Sequence, residues 1–283
     1  MYSILSGTEV SKAILFKAKN DLAKFDKKPK LVIVYVGNDP ASEVYVGMKI
    51  KKAQEIGMDA ELKKLPDNTN QEDLLTLVNA LNKDSSVTGF IVQLPLPKHI
   101  DTAKIIGAID PAKDVDGFTP TNIGKLFLGI SEESILLSAT PAGVIKMLEH
   151  YKVDFKGKHA VVVGRSNIVG KPVASMLLNR NATVTICHSG TKNLADHTKT
   201  ADILIVAVGK PKLITADLVK KGAYVIDVGT SKVNDKLYGD VDFENVIKKA
   251  HCSPVPKGVG PMTVAMLLSN VVKAKMHQNP SSI

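Results

Sequence analysis

Ala160-Val-Val-Val-Gly-Arg-Ser-Asn-Ile-Val-Gly-Lys-Pro172 decides how the rest of this 283-residue chain is read. Four apolar residues predict a buried strand, Gly164 a tight turn, and the segment from Gly170 the start of a helix. Glycines in such a turn let the backbone bend sharply or approach a ligand, and a helix N-terminus favours an anion. The usual dinucleotide fingerprint has glycines at its first, third and sixth positions. Here Gly164 holds the first, Ser166 replaces the second, and Gly170 falls one residue late. By glycine spacing alone the match is incomplete.

The following strand, Ala182-Thr-Val-Thr-Ile-Cys187, ends in His188-Ser-Gly-Thr191. An NAD-selective site wants an Asp or Glu near that end to hold the ribose 2′-hydroxyl. This chain has none there, and it has Arg165 in the glycine turn. A guanidinium with hydroxyls suits a 2′-phosphate, which a carboxylate would repel. The cofactor expected is NADP.

Composition narrows the class. A length of 283 residues fits about two domains. Two cysteines, Cys187 and Cys252, make neither a disulfide framework nor a metal pair, which points to a reducing compartment. The seven histidines lack metal-ligand spacing, so no metal is expected. No apolar run approaches the roughly 20 residues of a membrane span. The N-terminal residues 1–21 resemble neither a signal nor a transit peptide, and Asn279-Pro-Ser-Ser-Ile283 reads as a loose tail. A cytosolic protein is expected. The net charge of +9 rests on lysines, with only Arg165 and Arg180 as arginines and no Trp. Basic residues without interleaved aromatics argue against nucleic acid and for a field that gathers small anions.

Strand and helix patterns alternate, which implies parallel sheets built from βαβ units. Helices are predicted at 11–25, 42–56, 71–82, from Thr140, and from Met262 to about Met276; strands at 31–36, 88–93, 203–208 and 223–228 accompany the two already named. Residues 108–129, rich in Pro, Gly and Asp, read as a long irregular loop.

Chemistry is expected in the first half. Tyr45 and Lys49, four apart on one helix, share a face. A phenol beside an amine is a proton-transfer pair; the plain alternative is an exposed lysine beside a half-buried tyrosine. The Tyr-x-x-x-Lys spacing of short-chain dehydrogenases follows the nucleotide strands, whereas here it precedes them, so that kinship is set aside. Gln93 ends a predicted parallel strand, where ligands sit in open α/β sheets. In Lys113-Asp-Val-Asp-Gly117, Asp114 and Asp116 offer a carboxylate able to accept two N–H bonds from an aminopyrimidinone ring. The commoner role for Asp-Gly is a turn that caps its own backbone.

Ser253-Pro-Val-Pro-Lys-Gly-Val-Gly-Pro-Met-Thr263 makes a stiff loop before the last helix. With Tyr45-Val-Gly-Met-Lys49, Val92-Gln-Leu-Pro-Leu-Pro97, Pro111-Ala-Lys-Asp-Val-Asp-Gly-Phe118, Gly164-Arg-Ser166 and His188-Ser189, it resembles one family over nearly the whole chain. That family is bifunctional methylenetetrahydrofolate dehydrogenase/methenyltetrahydrofolate cyclohydrolase. The resemblance implies an α/β fold of two domains with a cleft between them. Residues 1–139 would form an αβα folate-binding catalytic domain, on which a final helix of about 262–283 packs back. Residues 140–261 would form a Rossmann-like, doubly wound parallel sheet. It also implies hydride transfer from methylenetetrahydrofolate to NADP and hydrolysis of the methenyl cation to formyltetrahydrofolate. Lys49 would carry protons, assisted by Tyr45 and Gln93, and Asp116 would anchor the pterin. Val92, Leu94, Pro256, Gly258 and Gly260 would line the substrate site, and Gly164, Arg165, Ser166, Ser189 and Thr230 would hold NADP. A homodimer joined through the nucleotide domains is implied, with no nucleic-acid or membrane partner.

Three departures stand out. Ser138-Ala-Thr-Pro141 stands where the family commonly has Pro-Cys-Thr-Pro, Thr230-Ser231 where it has Ile-Asn, and Lys257 where it has glycine. A glycine there suits positive φ, which a lysine adopts at a steric cost; alternatively Lys257 reaches the anionic tail of folate. Two other functions fit the architecture: another two-domain NADP enzyme of shikimate-dehydrogenase type, and a non-catalytic NADP- or folate-binding protein. The first gives no reason for Gln93 in a Leu-Pro-Leu-Pro stretch, and the second none for Lys49 and Asp116.

Overall fold

The structure, a computed structural model, describes residues 2–234 and 236–279; residues 280–283 of the expected tail lie outside the described residues. The chain divides into two compact units, one of 13–139 with the segment from Val264 onward, the other of Thr140–Thr263 with the N-terminal segment through Lys12.

The first unit is built, in chain order, from the part of α1 (Gly7–Leu22) that follows Lys12, then β1 (Lys30–Val36), α2 (Pro40–Glu55), β2 (Asp59–Leu65), α3 (Gln71–Lys83), β3 (Gly89–Val92), α4 (Thr102–Gly107) and α5 (Pro120–Phe127). Its sheet has the order β2-β1-β3, all parallel. Six consecutive residues of β1, Leu31–Val36, are buried, as expected of a central strand covered on both faces. On one face Val32, Val34, Phe90 and Val92 pack with Leu74, Val78 and Leu81 of α3 and Ile105 of α4. Each such side chain contributes about 1.5–3 kcal/mol by leaving water.

Of the elements that the sequence reading does not name, two in this unit are instructive. β2 is a full edge strand, paired with β1 over seven residues, although its sequence Asp-Ala-Glu-Leu-Lys-Lys-Leu is largely polar. An edge strand with one wet face tolerates such residues, and Glu61 there pairs with Lys30 and Lys63. The loop predicted over 108–129 contains α5, started by Thr119, whose hydroxyl accepts from the Asn122 N–H, and by Pro120 in the first turn. The cap and the preset φ of proline outweigh the breaker-rich composition.

The second unit holds α6 (Ala139–His150), β4 (His159–Val163), α7 (Gly170–Leu178), β5 (Thr183–Cys187), α8 (Leu194–Thr198), β6 (Ile203–Val206), β7 (Tyr224–Asp227), the hairpin β8 (Ser231–Val233) and β9 (Lys236–Tyr238), α9 (Phe243–Val246), β10 (His251–Cys252) and the start of α10 (Val259–Gln278). The order β10-β7-β6-β4-β5 is parallel throughout. The chain leaves β4 for β5 on one side and then crosses to β6 on the other. The carboxyl end of β4 is therefore a topological switch point, the place where open α/β sheets bind ligands. Both cysteines are buried and free.

Candidate active site

Gly164 follows β4 directly. Its φ is +131°, and a Cβ built on it would lie 2.3 Å from the Ala207 carbonyl oxygen beyond β6, so the turn admits only glycine. A Cβ on Gly170 would meet the Gly164 carbonyl oxygen at 2.3 Å. The glycine that falls one residue late in sequence thus does the work of close helix-to-strand packing, because α7 begins there. Ser166 Oγ accepts from the N–H groups of Val169 and Gly170 at 3.1 and 3.3 Å and caps the helix start. Arg165 is exposed and, among the described residues, makes no hydrogen bond or ion pair. At the end of β5, His188 N–H donates to Thr191 Oγ1 (2.8 Å), Ser189 is exposed, and no carboxylate stands in residues 188–191. Thr230 is exposed beside Gly229, which packs on the Asp240 carboxylate. Bare glycine backbone, an unpaired guanidinium and a carboxylate-free strand end fit an NADP rather than an NAD. A cavity of about 280 Å³ lined by Lys158, Asp202 and Lys220 lies at the opposite, amino ends of the strands, away from these residues.

In the other unit, Asp39 starts α2 by accepting from the Ser42 N–H, with Pro40 in the first turn. Tyr45 and Lys49 follow one turn apart; Tyr45 is half-buried and Lys49 is only 7% exposed. A lysine that deep needs a partner. The Lys49 ammonium donates to Gln93 Oε1 at 2.9 Å, and Gln93 Nε2 in turn donates to the Leu94 carbonyl at 2.7 Å. The Gln93 N–H continues the ladder to the Val34 carbonyl (2.8 Å), which fixes this residue at the carboxyl end of β3. The Leu94–Pro95 peptide is cis. Val92 faces the core and is 1% exposed.

The two aspartates of the Gly-bounded loop divide the roles that the sequence leaves open. Asp114 is buried, and its carboxylate accepts from the N–H groups of Gly117, Phe118 and Thr119 and from Asn122 Nδ2, at 2.8–3.1 Å. It is the turn aspartate. The Asp116 carboxylate, half-buried, makes no hydrogen bond among the described residues. Burial pushes its pKa up, the Lys49 charge pulls it down, and the Asp114 charge adds a smaller upward push. Lys49, Gln93 and Asp116 are thereby one electrostatic group.

Pro256, Gly258 and Gly260 sit in the nucleotide unit, apart from that group in the division of the chain. A Cβ on Gly258 would meet the Pro254 carbonyl oxygen at 2.3 Å, whereas Gly260 faces open space. Lys257 takes φ +81°, the conformation that the absent glycine would favour, and its carbonyl accepts from the Gly7 N–H (2.9 Å).

Two family models match the chain: the catalytic domain of tetrahydrofolate dehydrogenase/cyclohydrolase over residues 5–116, and its NAD(P)-binding domain over residues 138–279. The chain belongs to the tetrahydrofolate dehydrogenase/cyclohydrolase family. It is 50% identical to a bifunctional protein FolD of a Nitratiruptor species, with 98% of this chain and 99% of that protein covered. Among solved structures, the bifunctional enzyme FolD of Campylobacter jejuni superposes with a TM-score of 0.95 at 45% identity, over 98% of this chain and 100% of that one. The Trypanosoma brucei methylenetetrahydrofolate dehydrogenase-cyclohydrolase, complexed with NADP cofactor and inhibitor, gives 0.94 at 37%, covering 98% of each chain. The resemblance read from the motifs is membership, and the shikimate-type alternative is set aside.

Four buried polar residues around the Asp116 loop, Lys113, Asn122, Ser138 and Asn270, are given no role by the sequence reading. Lys113, 8% exposed, donates from Nζ to the Leu81 and Asp84 carbonyls at the end of α3 (2.9 and 2.6 Å), and burial lowers its pKa. Asn122 donates to the Pro111 carbonyl, Ser138 to the Gly117 carbonyl, and Asn270 to the Val115 and Leu137 carbonyls. The only local signal was polar residues within apolar surroundings, as at Asn270 in Met266-Leu-Leu-Ser-Asn-Val-Val272.

Proposed function

We propose that this chain oxidises methylenetetrahydrofolate with NADP and hydrolyses the methenyl product to formyltetrahydrofolate. The observation that carries the reading is the partly buried Lys49–Gln93 hydrogen bond of 2.9 Å, electrostatically coupled to a carboxylate, Asp116, that makes no hydrogen bond among the described residues. A partly buried carboxylate left without donors calls for a ligand that brings them. The amino and ring N–H groups of a pterin do so in pairs, which makes Asp116 the anchor.

NADP, when bound, supplies the hydride acceptor. Gly164, Arg165, Ser166, Ser189 and Thr230 would hold it, with Arg165 toward the 2′-phosphate. In the hydrolytic half-reaction, water adds to the methenyl carbon and must lose a proton, and a ring nitrogen gains one as the C–N bond opens. Lys49 serves that step as the neutral amine, which takes the proton from the adding water and, as the ammonium so formed, returns it to the ring nitrogen. Gln93 aims its amine through Oε1, and Tyr45, on the same helix face, assists in placing the ring. Leu94, Val92, Pro256, Gly258 and Gly260 belong to the same proposal as substrate contacts, Val92 through its backbone because its side chain is in the core.

The protein acts as a homodimer joined through its nucleotide units, in the cytosol, with no nucleic-acid or membrane partner. Supporting the dimer, β5 is an open sheet edge, with Ile186 41% and Leu178 54% exposed. Among the described residues no helix is long and apolar enough to cross a membrane. The test is an absorbance assay of methenyltetrahydrofolate formation with NADP and NAD in parallel, followed by its decay on hydrolysis. Failure to oxidise methylenetetrahydrofolate with either cofactor would refute the proposal.

A further inference from the structure

Asp116 sits in the middle of a loop whose backbone is held at three consecutive carbonyls. The Val115 oxygen accepts from Asn270 Nδ2 at 2.8 Å, the Asp116 oxygen from the Ala139 N–H at 3.3 Å, and the Gly117 oxygen from Ser138 Oγ at 2.8 Å. Asn270 also donates to the Leu137 carbonyl at 2.7 Å, so one buried amide ties the loop to the segment that carries Ser138. The two side chains are 4% and 1% exposed. Gly117, at φ +70°, closes the junction: a Cβ there would lie 2.3 Å from the Leu137 carbonyl carbon. The neighbouring carboxylate of Asp114 is consumed by the loop's own N–H groups. Among the described residues the Asp116 carboxylate makes no hydrogen bond, so it is left for a ligand.

Fixing the carbonyls on both sides of a residue fixes its φ and ψ, and with them the direction of its Cβ. We infer that Asn270 and Ser138 are positioning residues for Asp116, setting where its carboxylate meets the pterin. The inference rests on the reading of Asp116 as the pterin anchor. Asn270 lies on α10, more than 150 positions from the loop, so its role is set by tertiary contact.

The test measures steady-state constants of the full-length enzyme for Asn270→Ala, Ser138→Ala, Asp116→Asn and the double variant Asn270→Ala/Asp116→Asn, with thermal melts as a check on folding. Asn270→Ala should raise KM for the folate about tenfold, because small displacements of a positioning group have large effects. Ser138→Ala, the milder variant, should raise it about threefold, as expected when one neutral hydrogen bond is lost. The KM for NADP and the kcat at saturating folate should stay within about twofold for both. In the Asp116→Asn background, Asn270→Ala should add less than about twofold, since groups acting through one another are not additive. If Asp116→Asn leaves the folate KM unchanged, the anchor reading falls and this inference with it. If Asp116→Asn is costly while Asn270→Ala and Ser138→Ala are both silent, the inference alone is overturned. An equal effect of Asn270→Ala in both backgrounds, or a matching rise in the KM for NADP, marks a general structural role and also overturns it.

Discussion

Lys49→Met separates the two half-reactions. The substitution keeps much of the length of a side chain that is 7% exposed and removes its charge, so the fold should persist. What remains is Gln93 Oε1 without its 2.9 Å donor, a loss of about 1 kcal/mol in stability at a partly buried site. The second consequence is electrostatic. The Lys49 charge is what opposes burial at the Asp116 carboxyl, so without it that carboxyl rises further and holds a pterin less well at neutral pH. The folate KM should therefore rise for both activities, and the comparison must be made at saturating folate. There, hydride transfer needs only placement, whereas hydrolysis needs a proton carrier, whose loss lowers the rate by about a hundredfold or more, near 2.7 kcal/mol in the barrier. Dehydrogenase kcat is read from the appearance of methenyltetrahydrofolate and cyclohydrolase kcat from its decay. Hydrolysis at the parent rate would show that Lys49 is not the proton carrier and that its bond to Gln93 is structural. Equal loss of both activities at saturation would assign it to substrate placement alone.

Arg165→Ala should erase most of a preference for NADP over NAD of at least about tenfold, the weight of one charge-assisted contact, while NAD use stays nearly unchanged; parallel kcat/KM measurements with the two cofactors decide it. Lys257→Gly should stabilise the protein by roughly 0.5–1 kcal/mol, because relief of about 1–2 kcal/mol at φ +81° exceeds the glycine's entropy in the unfolded chain. Thermal melts read that gain, and a raised folate KM in the same variant would instead favour a contact with the anionic folate tail. Burial pushes Asp227 up to about 7 even though its carboxylate accepts from the N–H groups of Gly229, Asp240 and Val241, and the Asp240 charge adds to the rise. An acid with a higher pKa folded than unfolded stabilises the native state most below its unfolded value of 3.8, and that stability is lost as pH rises through about 7. At about 1.36 kcal/mol per unit, the loss is at most roughly 4 kcal/mol. His251, whose pKa burial lowers, works in the opposite sense over the same window. Chemical denaturation from about pH 5 to 7.5 should therefore show stability falling with pH in the parent and a flatter profile in Asp227→Asn; parallel profiles would refute this assignment.

The parts of the protein legible in the sequence are those whose reason is local. A run such as Leu31–Val36 must be a buried strand whatever surrounds it, and Tyr45 and Lys49 share a face because a helix repeats every 3.6 residues. Gly164 and the absence of a carboxylate after β5 announce a phosphate-bearing cofactor from within one βαβ unit. Other features exist only because distant segments meet. β2 is a strand because β1 offers it seven residues of ladder, not because Asp-Ala-Glu-Leu-Lys-Lys-Leu favours one. Gly170 looks misplaced until the Gly164 carbonyl is found against it. Asp114 and Asp116 are indistinguishable in Asp-Val-Asp-Gly. Only the folded loop satisfies the first carboxylate with four donors and leaves the second open, and only α10 brings Asn270 to hold it there. Periodicity and turn chemistry act over a few residues and can be read along the chain, whereas burial and hydrogen-bond satisfaction are settled by whatever packs across, which a linear sequence does not display.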